Sequence, residues 1–321
     1  MTELIAIDVG GTHARFARAT VANGAIELSE PVTLKTSDFA SLETAWEAYA
    51  KQSGEPLPEA AAIAIAGPVT GETVRMTNTS WVLHTGALDD QLGIEKVTVV
   101  NDFGAVAHAV ARAAEKDLVH IAGPDTPLPE HGTVSVIGPG TGLGVAHFHR
   151  FPGGYHVQAT EGGHVDFAPV DPIDDRLLTR LRERHRRVSL ERIVSGPGII
   201  EIRAVLGAIE GRPMAELEDK AIWQLGLAGE DPLCAAAVER FCLSLGSACG
   251  DHALAQGASA VVLAGGLGLK LREILPKSGF AERFRFKGRY ERMMEAIPIK
   301  MIVHPQPGLF GAAAAFAREH L

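Results

Sequence analysis

Cysteine is scarce in this chain, with three residues in 321 (Cys234, Cys242 and Cys249). So low a content excludes a disulfide-stapled scaffold, and the spacing fits neither a zinc site nor a short redox pair. All three fall in an Ala/Leu-rich helical stretch and are expected to be buried thiols in a reducing compartment. Positive charge is also short: 30 Lys and Arg against 39 Asp and Glu give a formal charge of −9, with no electrostatic footprint for nucleic acid. The one basic run, Arg180 to Arg187, is interleaved with Leu181, Glu183 and His185 and reads as a solvated helix face. No apolar run approaches the length of a membrane span. The first residues enter a strand directly, without a charged-then-apolar leader. The expectation is a cytoplasmic protein with no membrane or nucleic-acid partner.

The common nucleotide signatures are missing too. There is no G-x-x-x-x-G-K-[ST] segment. Gly138, Gly140, Gly142 and Gly144 recur at every second residue, which is not the Rossmann spacing, and no helix follows directly. Low-complexity linkers are absent as well, so the two or so domains expected at this length have no obvious seam.

What is present is a pair of glycine-rich turns, each entered from a β-branched apolar strand. The first is Ile5-Ala6-Ile7-Asp8-Val9-Gly10-Gly11-Thr12; the second is Val134-Ser135-Val136-Ile137-Gly138-Pro139-Gly140-Thr141-Gly142. More apolar residues follow each, so both read as hairpins with Gly and Thr at the tip. Glycine permits positive φ and close backbone approach. Successive free N–H groups in such turns form anion nests, so two of them could hold a polyphosphate. Asp8, closing the first strand, is placed to hold Mg²⁺ beside phosphates or simply to cap the turn. Strand-like runs recur at 4–9, 61–66, 97–100, 134–137, 260–263 and 299–303 with Ala-rich helical stretches between them, which predicts α/β architecture. The two hairpins head similar strand-then-helix successions, a weak internal repeat suggesting a duplicated domain with a cleft between the copies.

Other segments carry candidate chemistry. A buried strand ends in Asn101-Asp102 before an Ala-rich helix, and ligands collect at such strand ends. Asp102 could accept a proton from a hydroxyl attacking phosphorus, or serve as the helix N-cap. In Thr160-Glu161-Gly162-Gly163-His164, the paired glycines disfavour regular helix, and a tight turn could bring Glu161 and His164 to one point. Carboxylate and imidazole together suit a polyol; no third metal ligand stands at useful spacing. Glu191 lies in an apolar setting before the glycine turn 195–198 and would by itself be a helix-surface residue.

Taken in order, IAIDVGGTHAR, MTNTSW, VVNDFGAVA, GPGTGLGVA, EGGHVDFAP, LERIVSGPG, VVLAGGLGLKL and IVHPQPGLFGAAAAF resemble the bacterial glucokinase family, over nearly the whole chain. The resemblance implies two RNase H-like domains of the actin/hexokinase ATPase type: a small one from residues 1–110 plus 304–321 and a large one from 111–303. It implies phosphorylation of D-glucose at its 6-hydroxyl with ATP and Mg²⁺, in a homodimer. Gly10, Gly11, Thr12, Gly140, Thr141 and Gly142 would cradle ATP phosphates, Asp8 would support the metal, and Gly265 and Gly266 would lie near the adenosine. Asn101, Asp102, Glu161, His164 and Glu191 match the family's sugar positions, with Asp102 as the base. The last helix, from Leu309, is expected to return to the first domain. Two features set the chain apart. His13 stands where members usually carry Asn. The residues after His164 lack the cysteine-rich zinc segment of the repressor/ORF/kinase group, so no structural zinc is expected. A kinase for another hexose or amino sugar, or a non-catalytic sugar sensor, are the rival readings.

Overall fold

A computed structural model describes residues 1–69, 71–76, 81–211 and 214–321. Thr77–Ser80, the middle of the MTNTSW segment, lie outside the described residues. The chain divides into two compact units: Met1–Ala114 with Tyr155–Thr160 and His304–Leu321, and Glu115–Gly154 with Glu161–Val303. Tyr155–Thr160 therefore group with the first unit, although the sequence reading placed them in the second domain.

The first unit is built on β1 (Thr2–Val9), β2 (His13–Ala22), β3 (Ala25–Leu28), β4 (Val32–Lys35), β5 (Ala60–Ile65) and β8 (Lys96–Asn101); β6 (Thr73–Arg75) and β7 (Val82–His84) form a separate hairpin. Its sheet runs β3-β2-β1-β5-β8, with β4 also on β2. The β1–β2 pair is antiparallel, while β1, β5 and β8 are parallel. A central parallel strand must be apolar on both faces, and β5 is: all six residues of Ala-Ala-Ala-Ile-Ala-Ile are buried. Ala61, Ile63 and Ile65 point into one cluster with Trp46, Tyr49 and Phe16. Burying each of those isoleucines is worth about 2 kcal/mol. Ala60, Ala62 and Ala64 face the other cluster, against Leu309, Ala312, Ala313 and Phe316 of the C-terminal helix Pro307–His320. Methyl side chains on the sheet let that helix approach closely. Gly311 touches the Ala105 carbonyl of the neighbouring helix Asp102–Arg112, leaving no room for a Cβ. The expected return of the last helix to the first domain is what the structure shows.

The second unit contains β9 (Leu118–Ala122), β10 (Gly132–Pro139) and β11 (Leu143–Phe151). Strand β12 (Gly154–Thr160), whose residues 155–160 group with the first unit, intervenes in the chain before β13 (Ala258–Leu263) and β14 (Ile299–Ile302) of the second. Here the order is β11-β10-β13-β14-β9. Again a hairpin (β10–β11) leads into parallel neighbours (β13, β14). The internal repeat is thus one of topology: β2-β1-β5-β8 and β11-β10-β13-β14 have the same pattern. The helix Pro232–Gln256 carries the three cysteines, all buried. It is long and apolar enough to cross a bilayer, contrary to the sequence reading, but 72% of its most apolar window is buried, as befits a core helix. The basic run splits: Arg180 and Arg184 both pair with Glu201, and Arg187 with Asp166, so only its first part is helical.

Asp171 caps the helix Pro172–Arg182 through Ile173 and Asp174 N–H groups, and also pairs with Arg240 and Arg283. Burial pushes its carboxyl up, but hydrogen bonds from Arg240, the Asp174 backbone and Arg283 outweigh that and hold it at about 2. A depressed folded-state value means the stabilisation is complete above the ordinary value of 3.8 and is lost as pH falls toward 2. Asp171→Asn keeps the cap but not the charge. Its urea midpoint should therefore vary less than wild type between those two pH values; parallel profiles would show that the arginines do not set this titration.

Candidate active site

In the first unit, parallel pairing aligns the carboxyl ends of β1, β5 and β8: Val9 stands opposite Ile65, and Ile65 opposite Asn101. Asp8, the Gly10–Thr12 turn, Asn101 and Asp102 all lie at this edge. The β1–β2 register sets Arg15 directly across from Asp8, and its guanidinium reaches the carboxylate at 3.2 Å. Gly308, at the start of the C-terminal helix, lies against the same carboxylate: a Cβ there would be 2.8 Å from Oδ2. Burial raises the Asp8 pKa, opposed by Arg15. A single carboxylate beside a turn is a donor that a hard divalent cation accepts, with waters and other oxygens completing its shell. Among the described residues no three His, Cys, Asp or Glu side chains converge as a metal cage. Arg15 and Gly308 were missed by sequence reading; the hairpin spacing alone could have placed Arg15 opposite Asp8.

The helix that begins at Asp102 is capped by Asn101, not Asp102. Asn101 Oδ1 accepts from Gly104 N at 2.9 Å, and its Nδ2 donates to Gly67 O at 2.9 Å. Both ends of the carboxamide are thus engaged by the backbone, which fixes the strand-to-helix corner. Asp102 occupies the first helical position, where its Oδ1 accepts from Phe103 N at 2.8 Å. Capping does not explain Asp102, because its neighbour already performs it.

The second unit gathers Gly140–Gly142, Glu191, Gly265 and the Glu161–His164 turn around the start of β11. Glu191 sits on a single 3₁₀ turn rather than a helix surface, and its Oε2 accepts from Leu143 N at 2.9 Å. The same oxygen occupies the space a Cβ on Gly142 would need. Gly265, with φ +83°, lies against Pro139 O, where a Cβ would come within 2.7 Å. Gly162–His164 form one 3₁₀ turn, and Glu161 and His164 do converge, with Oε2 and Nε2 4.0 Å apart and both side chains half exposed.

The glycine turns work differently from the sequence expectation. Gly10, Gly140, Gly142 and Gly266 do not adopt positive φ. The N–H groups of Gly10 and Gly140 are committed inside their own turns, to His13 O at 2.9 Å and Gly142 O at 2.8 Å. Among the described residues, the N–H groups of Gly11, Thr12, Thr141 and Gly142 have no partner. Each turn thus presents two adjacent donors, and no atom lies within 4 Å of a Cβ built on Gly140 or Gly266. In each unit taken by itself, two adjacent donors make a small anion nest. His13 contributes its carbonyl to the first turn, a role any residue type can fill.

A family model described as Glucokinase matches residues 5–319. A glucokinase of Zymomonas mobilis is 56% identical over 319 residues, covering 99% of this chain and 98% of that protein. The chain belongs to the glucokinase family. Another glucokinase, from Caulobacter sp. strain K31, is 40% identical over 97% of this chain and 94% of its own length. Among solved structures, a glucokinase from an Antarctic psychrotroph superposes with a TM-score of 0.88 at 33% identity, covering 99% of each chain. The mixed α/β fold is that of the two-domain actin/hexokinase-like kinases. Family membership implies ATP as phosphoryl donor and a divalent metal.

Proposed function

We propose that this chain transfers the γ-phosphoryl group of ATP to the 6-hydroxyl of D-glucose, with Asp102 as general base. The observation that supports it most is Asp102 itself: an ionisable oxygen at the carboxyl end of a parallel strand, freed from capping by Asn101, in a chain that matches glucokinases end to end. In this reading the small domain, residues 1–110 with 304–321, supplies Asp8, Gly10, Gly11, Thr12, Asn101 and Asp102. The large domain, 111–303, supplies Gly140, Thr141, Gly142, Glu161, His164, Glu191, Gly265 and Gly266. Asp102 takes the proton of the attacking hydroxyl as the O–P bond forms. The unpaired N–H groups of the two turns hold phosphoryl oxygens, offsetting charge that grows in the transition state. Mg²⁺ would be held beside Asp8, where it supplies charge neutralisation on the phosphates. Glu161, His164 and Glu191 give directional partners to sugar hydroxyls, and a site built on such bonds rejects analogues that leave them unpaired. The second oxygen of Glu191 serves the sugar while Oε2 stays on Leu143. Gly265 and Gly266 leave room for the adenosine. A cytoplasmic homodimer is part of the same proposal.

The test is ADP release from ATP and Mg²⁺ across a sugar panel. Glucose is expected to give the highest kcat/KM, with no release when the metal is chelated. Preference for an amino sugar would replace the substrate assignment. Glucose binding without ADP release would make the protein a sensor.

A further inference from the structure

We infer that Thr36 is a positioning residue for the Gly10–Thr12 turn: its buried hydroxyl holds the Gly11 carbonyl and so aims the Thr12 N–H as a phosphate donor. The inference rests on the phosphate role proposed above for that turn.

An N–H group serves an anion when its peptide plane faces the right way. In a trans peptide the carbonyl and the N–H point in opposite directions. The Gly11 carbonyl and the Thr12 N–H belong to one such plane, so whatever holds the carbonyl sets where the N–H points. Thr36 Oγ1 donates to Gly11 O at 2.9 Å. The other bonds around the turn act elsewhere. Pairing of β1 with β2 ends at Val9 and Ala14. Gly10 N donates to His13 O at 2.9 Å and closes the loop, and Ala66 N donates to Val9 O at 3.2 Å, at the end of β1. The β2–β4 register sets Lys35 opposite His13, and one residue on, Thr36 N donates to Thr12 O at 3.1 Å. That bond orients the next peptide, Thr12–His13. Among the described residues, the Thr36 hydroxyl is the donor that meets the Gly11 carbonyl.

The holder is itself held. Thr36 is 4% exposed, which commits its hydroxyl to the protein. It opens the 3₁₀ turn Thr36–Asp38, and its carbonyl accepts from Phe39 N at 3.3 Å. Phe39 O in turn accepts from the indole Nε1 of the fully buried Trp81 at 3.0 Å. Valine would fill the same space, so what threonine adds is the bond to Gly11. The second unit, taken by itself, repeats the arrangement. Gly140 O accepts from Gly196 N at 2.7 Å, and the other end of that peptide is the free Thr141 N–H. Gly196 O accepts from the indole of the buried Trp223 at 2.9 Å. In each turn the carbonyl just before the threonine is drawn back by a donor on a segment braced by a tryptophan. Donors fixed in advance by such supporting bonds are what a phosphate site requires.

The experiment compares wild type, Thr36→Val and Thr36→Ser. It reads calorimetric affinity for the β,γ-imido analogue of ATP with Mg²⁺, KM for ATP, KM for glucose and thermal midpoint. Thr36→Val keeps the branched shape and the backbone bond to Thr12 O and removes the hydroxyl. It should weaken analogue binding and raise KM for ATP about fivefold each, the size of one hydrogen bond, with KM for glucose within about twofold. Thr36→Ser restores the hydroxyl and should return both nucleotide values to within about twofold of wild type. A merely structural role would lower the midpoint without a selective loss of nucleotide, or would leave serine unable to rescue; either result overturns the inference. If Thr36→Val does not fold, Thr36→Ala should show the same selective loss, and unchanged nucleotide affinity in it overturns the inference. A wild-type protein that binds no analogue would overturn the phosphate reading of the turn and this inference with it. Wild-type binding and glucose-dependent ADP release beside an indifferent Thr36→Val would overturn the inference alone.

Discussion

Asp102→Ala is expected to bind glucose nearly as wild type does and to lose roughly 10²-fold or more in kcat, the usual size of a general-base deletion. The structure makes this variant informative because the fold does not depend on the side chain removed. The capping bond of the helix, Asn101 Oδ1 to Gly104 N, stays in place, while the bond that Asp102 Oδ1 accepts from Phe103 N is lost. A calorimetric glucose isotherm beside an ADP-release assay separates binding from chemistry. Asp102→Asn, which preserves shape but not basicity, should fall nearly as far in kcat. If either variant retained turnover within a few-fold of wild type, the proton would have to leave by another route and the base assignment would be lost.

The second large effect concerns stability. Asp174→Ala is expected to cost about 3–5 kcal/mol, because it strips one carboxylate from a cluster that keeps both its cations. Asp174 bonds Arg283 at 3.0 Å and Arg240 at 3.4 Å, and accepts from Val170 N at 3.2 Å. Its side chain is 3% exposed and those of the two arginines 11%. Without it, among the described residues the two nearly buried guanidinium groups are left with the Asp171 carboxylate as their shared anion. Denaturant unfolding should show the drop. Removing Arg283 together with Asp174, in favour of apolar residues of similar volume, should recover most of it, since it is the uncompensated charge that is expensive. An unchanged midpoint in Asp174→Ala would mean that water already screens this cluster.

Both hairpins were legible in the sequence because a strand–glycine–strand pattern is local, and so was the turn that brings Glu161 to His164. The corner at Asn101-Asp102 was legible as a place, but its division of labour was not: which of two adjacent polar residues caps the helix depends on backbone angles that no spacing encodes. The reason for glycine at these turns was legible only in part. Gly142 is small to leave space for Glu191, and Gly140 to leave space outright; of the glycines singled out, Gly265 uses the left-handed region. The switch of Tyr155–Thr160 into the first unit, the Gly308 contact with Asp8 and the Thr36 hydroxyl on the Gly11 carbonyl all join residues distant in the chain. Such contacts are properties of packing, and composition and periodicity are silent about them.

The C-terminal helix has one more consequence, for synthesis on the ribosome. Domains usually fold in the order in which they emerge. Here the sheet that carries Asp8 and Asn101 is translated first, yet the cover for its alanine face, Leu309, Ala312, Ala313 and Phe316, is translated last. The nascent amino-terminal portion must therefore wait, with Leu4, Ala6, Ala62 and Ala64 uncovered, while the whole of the second unit is made and can already close on itself. The half that begins first is the half completed last, and chaperone demand should fall on it.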